Sequence, residues 1–339
     1  MDRYQGLVCD LDGVVYRGHV AVPHAVESLL ARGDTVGLVL ATNNASRPTA
    51  EVARQLSALG LDVTSDQVVT SAQAGSAHLA SVLKPGDRVL AVGGPGVGEA
   101  LTAVGLRPER TSAGVRAVLQ GYGRDVRARD LAEAAYAIAA GATWIATNLD
   151  ATLPTDRGMA PGNGTLVDAV EVATGRHPLV VGKPEAPLYS LSASRLGADP
   201  CDVLAVGDRL DTDILGAVNA GMDSLWVLTG VDDLPSFVTS SVTATPTYVG
   251  FDLRALLGPA PQVQMARGWW VCGDARVSIN LTGGHELVRT AVTGSEEREL
   301  LRDALLAAGF TALARLRATP GVDRGRLTDA AVDLTSQLA

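Results

Sequence analysis

Short apolar runs alternating with segments of helical period, from the first residues onward, constrain this chain more than any other feature. GLVCD (6–10) reads as a strand, 24–32 as a helix, and VGLVLATNN (36–44) as a strand. A helix over 48–59, the strand VVTS (68–71) and a helix over 72–83 follow. Strands separated by helices cannot pair as hairpins, so they form βαβ units and a parallel sheet covered on both faces. The alternation returns after residue 179 with LVVGKP, a helix over 187–196, VLAVGD, a helix over 212–220, and SLWVLTG. TYVGF then adds an edge strand. A Rossmann-like α/β core over residues 1–84 and 179–258 is the expectation.

Between the two blocks, residues 85–178 carry an α/β set of their own. DRVLAVGG, RAVLQGY and ATWIATN read as strands, 128–140 and 163–174 as helices, and the whole as an inserted domain. GPAP (258–261) reads as a linker. Beyond it, residues 262–339 hold WWVCGDARVSINL, an acidic helix over 295–308 and a last helix over 325–338, which together make a small C-terminal α/β domain.

With 339 residues, 47% of them hydrophobic and 19% charged, the chain can bury more than one core. Its net charge of −9 argues against nucleic acid or an anionic membrane surface as a partner. A small phosphorylated metabolite remains open, because it responds to local charge and bound metal. No run approaches the ~18 apolar residues of a membrane span, and the first residues enter a strand without a signal-peptide pattern. Cys9, Cys201 and Cys272 are odd in number and far apart, with no CxxC pair, which suits a reducing compartment. The expected location is the cytoplasm.

In an open parallel sheet, ligands bind outside the C-terminal ends of the strands. Here the first strand ends in Asp10, Asp12 and Gly13, and the next in Thr42, Asn43 and Asn44. LVVGKP ends in Lys183, and VLAVGDRLDTD in Asp208, with Asp213 five residues on. Asp and Gly are also ordinary turn formers; four strands ending this way point to chemistry. A carboxylate can act as nucleophile and form an aspartyl phosphate. Nearby carboxylates would repel a phosphate dianion, so a cation must intervene, and Mg²⁺, a hard ion that takes oxygen ligands, fits. Asp10, Asp208 and a turn carbonyl can ligate it. Thr42 and Lys183 can meet the charge on the transferring group. Asp12 can protonate the leaving alcohol and then activate water.

DLDGVVY, ATNN, VVGKP and GDRLDTDI resemble, in order, the four motifs of the haloacid dehalogenase superfamily of phosphatases, over residues 7 to 258. That resemblance implies Asp10 as nucleophile and metal ligand, and Asp12 as acid/base and donor of a main-chain ligand. It implies Thr42, with the Asn43 and Asn44 region, as the phosphoryl-binding group, and Lys183 as the group that steadies the phosphorylated state. Asp208 would complete the metal ligands, with Asp213 supporting from behind. An acid at position 12 resembles the phosphatase and mutase branch.

Too few residues separate Asp10 from Thr42 for a cap domain, whereas the stretch from Thr42 to Lys183 has room for one. That layout resembles the C2-capped class. The class includes the nucleotide phosphatases named for the N-acetylglucosamine operon, pyridoxal phosphatase and phosphoglycolate phosphatase. Residues 85–178 would be the cap, excluding water and selecting the leaving group. The segment 146–176 would be a cap loop facing the site, followed by a helix. It resembles the phosphoglycolate phosphatase pattern and lacks the histidines that pyridoxal phosphatases carry. Asn148, Asp150 and Arg157 are the candidates for gripping substrate hydroxyls, with Asx-turn and surface roles as the alternative. The nearest resemblance is to bacterial glycerol-3-phosphate phosphatases with an extra C-terminal domain, which implies glycerol 3-phosphate as substrate. Phosphoglycolate, pyridoxal phosphate and nucleotides are the alternatives within the class.

Other signals carry less. GGPGVG (93–98) lacks the third glycine of a dinucleotide loop and reads as a Pro-Gly helix entry. The Gly-Lys at 182–183 precedes Pro, so it is no Walker A loop. The five histidines are scattered. Cys9 alternates away from Asp10 into the core. Trp269 and Trp270 read as one buried and one partly exposed strand residue. In related bacterial enzymes the tail looks like a truncated acetyltransferase fold. NLTGGHE (280–286) is a poor acetyl-CoA loop, and a structural, regulatory or homodimer-forming part is the better reading. A receiver module and a phosphomutase are opposed by motif order and cap position. A non-catalytic phosphoryl-binding protein is opposed by the complete motif set.

Overall fold

The computed structural model describes residues 1–338 apart from 2, 34, 156, 283–287 and 293–297. NLTGGHE runs into the undescribed positions, as does the start expected for the acidic helix. The described residues fall into two units, one of residues 1–36, 204–218 and 222–339, the other of 37–203 and 219–221.

In the first unit the strands Tyr248–Gly250, Asp223–Val227, Val203–Gly207 and Gly6–Cys9 lie side by side in that order. The first three of these run parallel. Every residue of Gly6–Cys9 and Val203–Gly207 is buried, as a sheet covered on both faces requires, and Cys9 lies in that core. The helix expected over 212–220 is shorter: a π-type turn, Leu210–Ile214, leads into Leu215–Asn219.

The C-terminal residues of this unit form a four-stranded antiparallel sheet, Val263–Ala266, Trp269–Cys272, Ala275–Ile279 and Val288–Val292, in chain order. Helices Arg298–Arg317 and Arg324–Leu338 follow. WWVCGDARVSINL is therefore a hairpin, with Gly273 at φ +53° in its two-residue turn. Trp269 and Trp270 are both half-buried, against the expected split, because Arg276 and Arg289 cover the Trp269 ring. Leu210, Ile214, Trp226 and Phe237 share one apolar cluster with Leu306, Phe310, Leu313 and Leu334 of the two helices. The GPAP stretch thus joins two pieces with a common core.

The second unit contains the parallel pair Gly37–Thr42 and Val68–Thr70. It also contains a five-stranded parallel sheet in the order Leu179–Val180, Thr143–Ala146, Ala117–Gln120, Arg88–Val92, Arg107–Glu109. Leu90, Val118, Ile138, Trp144 and Val167 are among its core. LVVGKP is not a strand of the first sheet, as expected, but the edge of this one: Leu179 and Val180 pair with Ile145 and Ala146. The main-chain bond from Val181 N to Ala146 O, 3.2 Å, continues that pairing up to Gly182. The loop expected after Asp150 is a hairpin, Thr152–Thr155 with Gly158–Pro161, followed by the expected helix, Asn163–Thr174.

Candidate active site

Within the first unit, Asp10 directly follows Gly6–Cys9, and its N–H still donates to Val206 O at 2.9 Å, so the residue is held as an extension of the sheet. The chain then turns back: Gly13, at φ +87°, donates its N–H to Tyr16 O at 2.8 Å. Asp12 lies in this turn and is exposed. Asp208 follows Val203–Gly207 and Asp213 sits in the π-type turn beyond; both are buried. One oxygen each from Asp10, Asp208 and Asp213 lie within 4.8 Å of one another. Asp213, expected to support from behind, is thus brought level with Asp10 and Asp208, the two carboxylates expected to ligate the metal beside the main chain of Asp12.

Three carboxylates this close repel, and a cation relieves that repulsion better than protonation at neutral pH. The donor set is all hard oxygen, which matches Mg²⁺ rather than a soft metal. The surrounding backbone is cut close to the carboxylates. A Cβ on Gly13 would lie 2.7 Å from Asp208 Oδ2, and one on Gly207 would lie 2.1 Å from Asp213 Cβ. Asp208 is also fixed by partners that the motifs did not reveal. Val231 N donates to its Oδ2 at 2.8 Å, and Trp226 Nε1 donates to its backbone oxygen at 3.0 Å. Thr229 Oγ1 donates to Gly13 O at 2.8 Å, pinning the first turn as well. The Thr-Gly pair ending SLWVLTG is a strand-end signal of the same kind as the others, and it was there to be read.

Within the second unit, Thr42 ends Gly37–Thr42 and is buried, and its Oγ1 accepts from Asn44 N at 3.1 Å. Asn44 in turn accepts from Ser46 N and Oγ, an Asx turn that shapes the loop. Asn43 is the hub. Its Oδ1 accepts from Lys183 N at 2.8 Å, and its Nδ2 donates to Lys183 O and to Asp150 Oδ2. Its backbone oxygen accepts from Ser71 Oγ at 2.7 Å and from Asn148 Nδ2 at 2.8 Å. Lys183 is buried, with Nζ donating to Ala41 O at 3.0 Å.

Asn148 is also buried. Besides its bond to Asn43, its Oδ1 accepts from Asp150 N at 3.2 Å, while Asn163 Nδ2 donates to Asn148 O at 2.7 Å. Both ends of the Asn148 amide are therefore committed to backbone groups. Arg157 stands in the turn of the exposed 152–161 hairpin, outside this network. Ser71 and Asn163 are the residues here that sequence reading missed. Their signal was weak, since Ser71 read as the last residue of the strand VVTS and Asn163 as the first residue of a helix.

Family models described as haloacid dehalogenase-like hydrolase and HAD-hydrolase-like match residues 7–107 and 180–256. The D-glycerol 3-phosphate phosphatase of Mycobacterium tuberculosis is 45% identical over 285 residues, 82% of this chain and 78% of that protein. The acid sugar phosphatase of Staphylococcus saprophyticus is 34% identical over 258 residues, 76% of this chain and 98% of that one. A crystal structure of the glycerol phosphate phosphatase from Mycobacterium tuberculosis in complex with magnesium superposes with a TM-score of 0.78. It is 38% identical, with 99% of this chain and 97% of that chain covered.

Proposed function

This chain belongs to the haloacid dehalogenase-like hydrolases and is a phosphatase, and we propose that it hydrolyses glycerol 3-phosphate through an aspartyl phosphate on Asp10. The observation that carries the mechanism is the cluster of Asp10, Asp208 and Asp213 oxygens at the ends of two neighbouring strands. The substrate rests on the likeness to the D-glycerol 3-phosphate phosphatase of Mycobacterium tuberculosis, 45% identical over 82% of this chain. Residues 85–178 are assigned as the cap that selects it, and residues 1–84 and 179–258 as the catalytic core.

Asp10, Asp208 and Asp213, with a main-chain oxygen at Asp12, are assigned as the groups that hold Mg²⁺, the ion in the relative's crystal structure. The ion would supply positive charge that lets a phosphate dianion approach carboxylates. An Asp10 oxygen attacks phosphorus as the bond from phosphorus to the glycerol oxygen breaks, and Asp12, protonated, gives its proton to that oxygen. Asp12, now a carboxylate, takes a proton from water as the water oxygen attacks phosphorus. The bond to Asp10 breaks, and phosphate leaves. Thr42 and the Asn43–Asn44 loop are assigned to the phosphoryl oxygens, and the Lys183 ammonium to the charge that builds on them.

The test is phosphate release, with and without Mg²⁺, from glycerol 3-phosphate, phosphoglycolate, pyridoxal phosphate, nucleoside monophosphates and sugar phosphates, with Asp10→Asn as control. Metal-dependent release led by glycerol 3-phosphate and lost in the variant is expected. Another leading ester would discard the substrate and keep the reaction. No release from any ester would point to a phosphoryl-binding protein.

A further inference from the structure

We propose that the C-terminal region braces the metal site: Phe310, through Trp226, is a positioning residue for Asp208. This rests on the reading of Asp208 as a Mg²⁺ ligand. Trp226 lies in the strand Asp223–Val227 and is fully buried. Its indole N–H donates to the backbone oxygen of Asp208 at 3.0 Å, which sets the height of that residue at its strand end.

The Trp226 ring is held by two phenyl rings, Phe237 at 5.9 Å and Phe310 at 6.1 Å between centroids. These two stand 5.1 Å apart, closing a triangle of tilted rings at the centroid spacing of interacting aromatic pairs. Phe310 comes from the helix Arg298–Arg317, beyond the GPAP stretch. The end of the same helix covers the triangle from another side. The Arg317 guanidinium lies 4.4 Å from the Phe237 ring centroid and donates to Ser240 O at 2.9 Å and to Val242 O.

The acidic turn itself leans on this core. Leu210 and Ile214, which flank Asp211 to Asp213, are buried in the cluster that holds Leu306, Leu313 and Leu334. The turn 208–214 therefore presents carboxylates on one side and apolar side chains on the other, and the C-terminal helices fill the apolar side. Groups that orient a metal ligand matter to affinity almost as much as the ligand, with losses of about 10–100-fold when they are removed. A well-packed ring also transmits displacement, since interiors are as dense as organic crystals.

The test is calorimetric titration of full-length protein with Mg²⁺ for wild type, Trp226→Phe, Phe310→Ala, Phe310→Leu and Asp208→Asn. Each is also melted without metal. Trp226→Phe removes the N–H donor together with part of the buried ring, so the Mg²⁺ affinity reads the positioning and the melting temperature reads the lost packing. Trp226→Phe and Phe310→Ala are expected to weaken Mg²⁺ binding about tenfold or more, with Phe310→Leu close to wild type. Lower melting temperatures with Mg²⁺ affinity within about twofold of wild type would overturn the brace. Should Phe310→Ala fail to fold, Trp226→Phe decides alone. Asp208→Asn binding Mg²⁺ like wild type would instead overturn the ligand assignment beneath it.

Discussion

A Cβ on Gly230 would lie 1.7 Å from Asp208 Oδ2. The next residue, Val231, donates its N–H to that same oxygen. The backbone after Asp223–Val227 is therefore the wall against which the Asp208 carboxylate is pressed, and position 230 has no room for a methyl group. Gly230→Ala should push the carboxylate aside and weaken Mg²⁺ binding about 10–100-fold, the range for a displaced ligand partner. Calorimetric titration with Mg²⁺ checks this; unchanged affinity would mean that Asp208 is not a ligand where it stands.

Asn148 separates two roles. If it gripped a substrate hydroxyl, Asn148→Ala would change the ranking of esters. Its amide is instead spent on Asn43 O and Asp150 N, and removing it leaves buried backbone groups short of a partner, at a cost of about 1–3 kcal/mol. The variant should melt lower and lose kcat/KM by a similar factor for every ester. Rate constants for three esters, beside a melting curve, decide it.

The Lys183 ammonium is buried and donates to Ala41 O, and burying a charge is costly unless it is paired and hydrogen-bonded. Lys183→Met keeps the length of the stem and removes the charge. Turnover of glycerol 3-phosphate should fall about 10²–10³-fold, the range for losing one group that stabilises a developing charge. Steady-state kinetics with a melting curve tests this, and a near-normal rate in a folded variant would remove Lys183 from the mechanism.

Acid stability should report a link near the start of the C-terminal region. Burial alone would raise the Asp252 carboxyl, but hydrogen bonds from Arg254 outweigh it and hold the group below its usual range. Arg254 also pairs with Glu299 on Arg298–Arg317 at 2.9 Å. A carboxyl lowered in the folded state contributes stability above its unfolded value of about 3.9, lost as pH falls through the folded value. Asp252→Asn should cost about 1 kcal/mol at pH 7, with partial exposure of the pair limiting the effect. That gap should close as pH falls below about 4. Melting curves across that range test the sign, and a constant gap would refute it.

Most of the parallel core was legible because its strands are short buried runs bounded by helices. The site motifs were legible because each sits at a strand end. LVVGKP misled because an apolar run before Gly reads the same in either sheet; its partner, Thr143–Ala146, is a tertiary choice. The Gly-Asp between Cys272 and Ala275 did announce a hairpin, since Gly-led pairs make two-residue turns. The Trp226 bond to Asp208 and the Asn43 hub could not be read, because side chains reaching backbone atoms of other segments leave no periodic trace.

The most direct test of Asp10 as nucleophile is to quench the enzyme in acid during turnover of glycerol 3-phosphate, reduce it with borohydride and map the peptides by mass spectrometry. An aspartyl phosphate is reduced to homoserine. Homoserine is expected at position 10, and none at 12, 208 or 213. Sustained turnover with Asp10 unmodified, or homoserine at another aspartate, would contradict it.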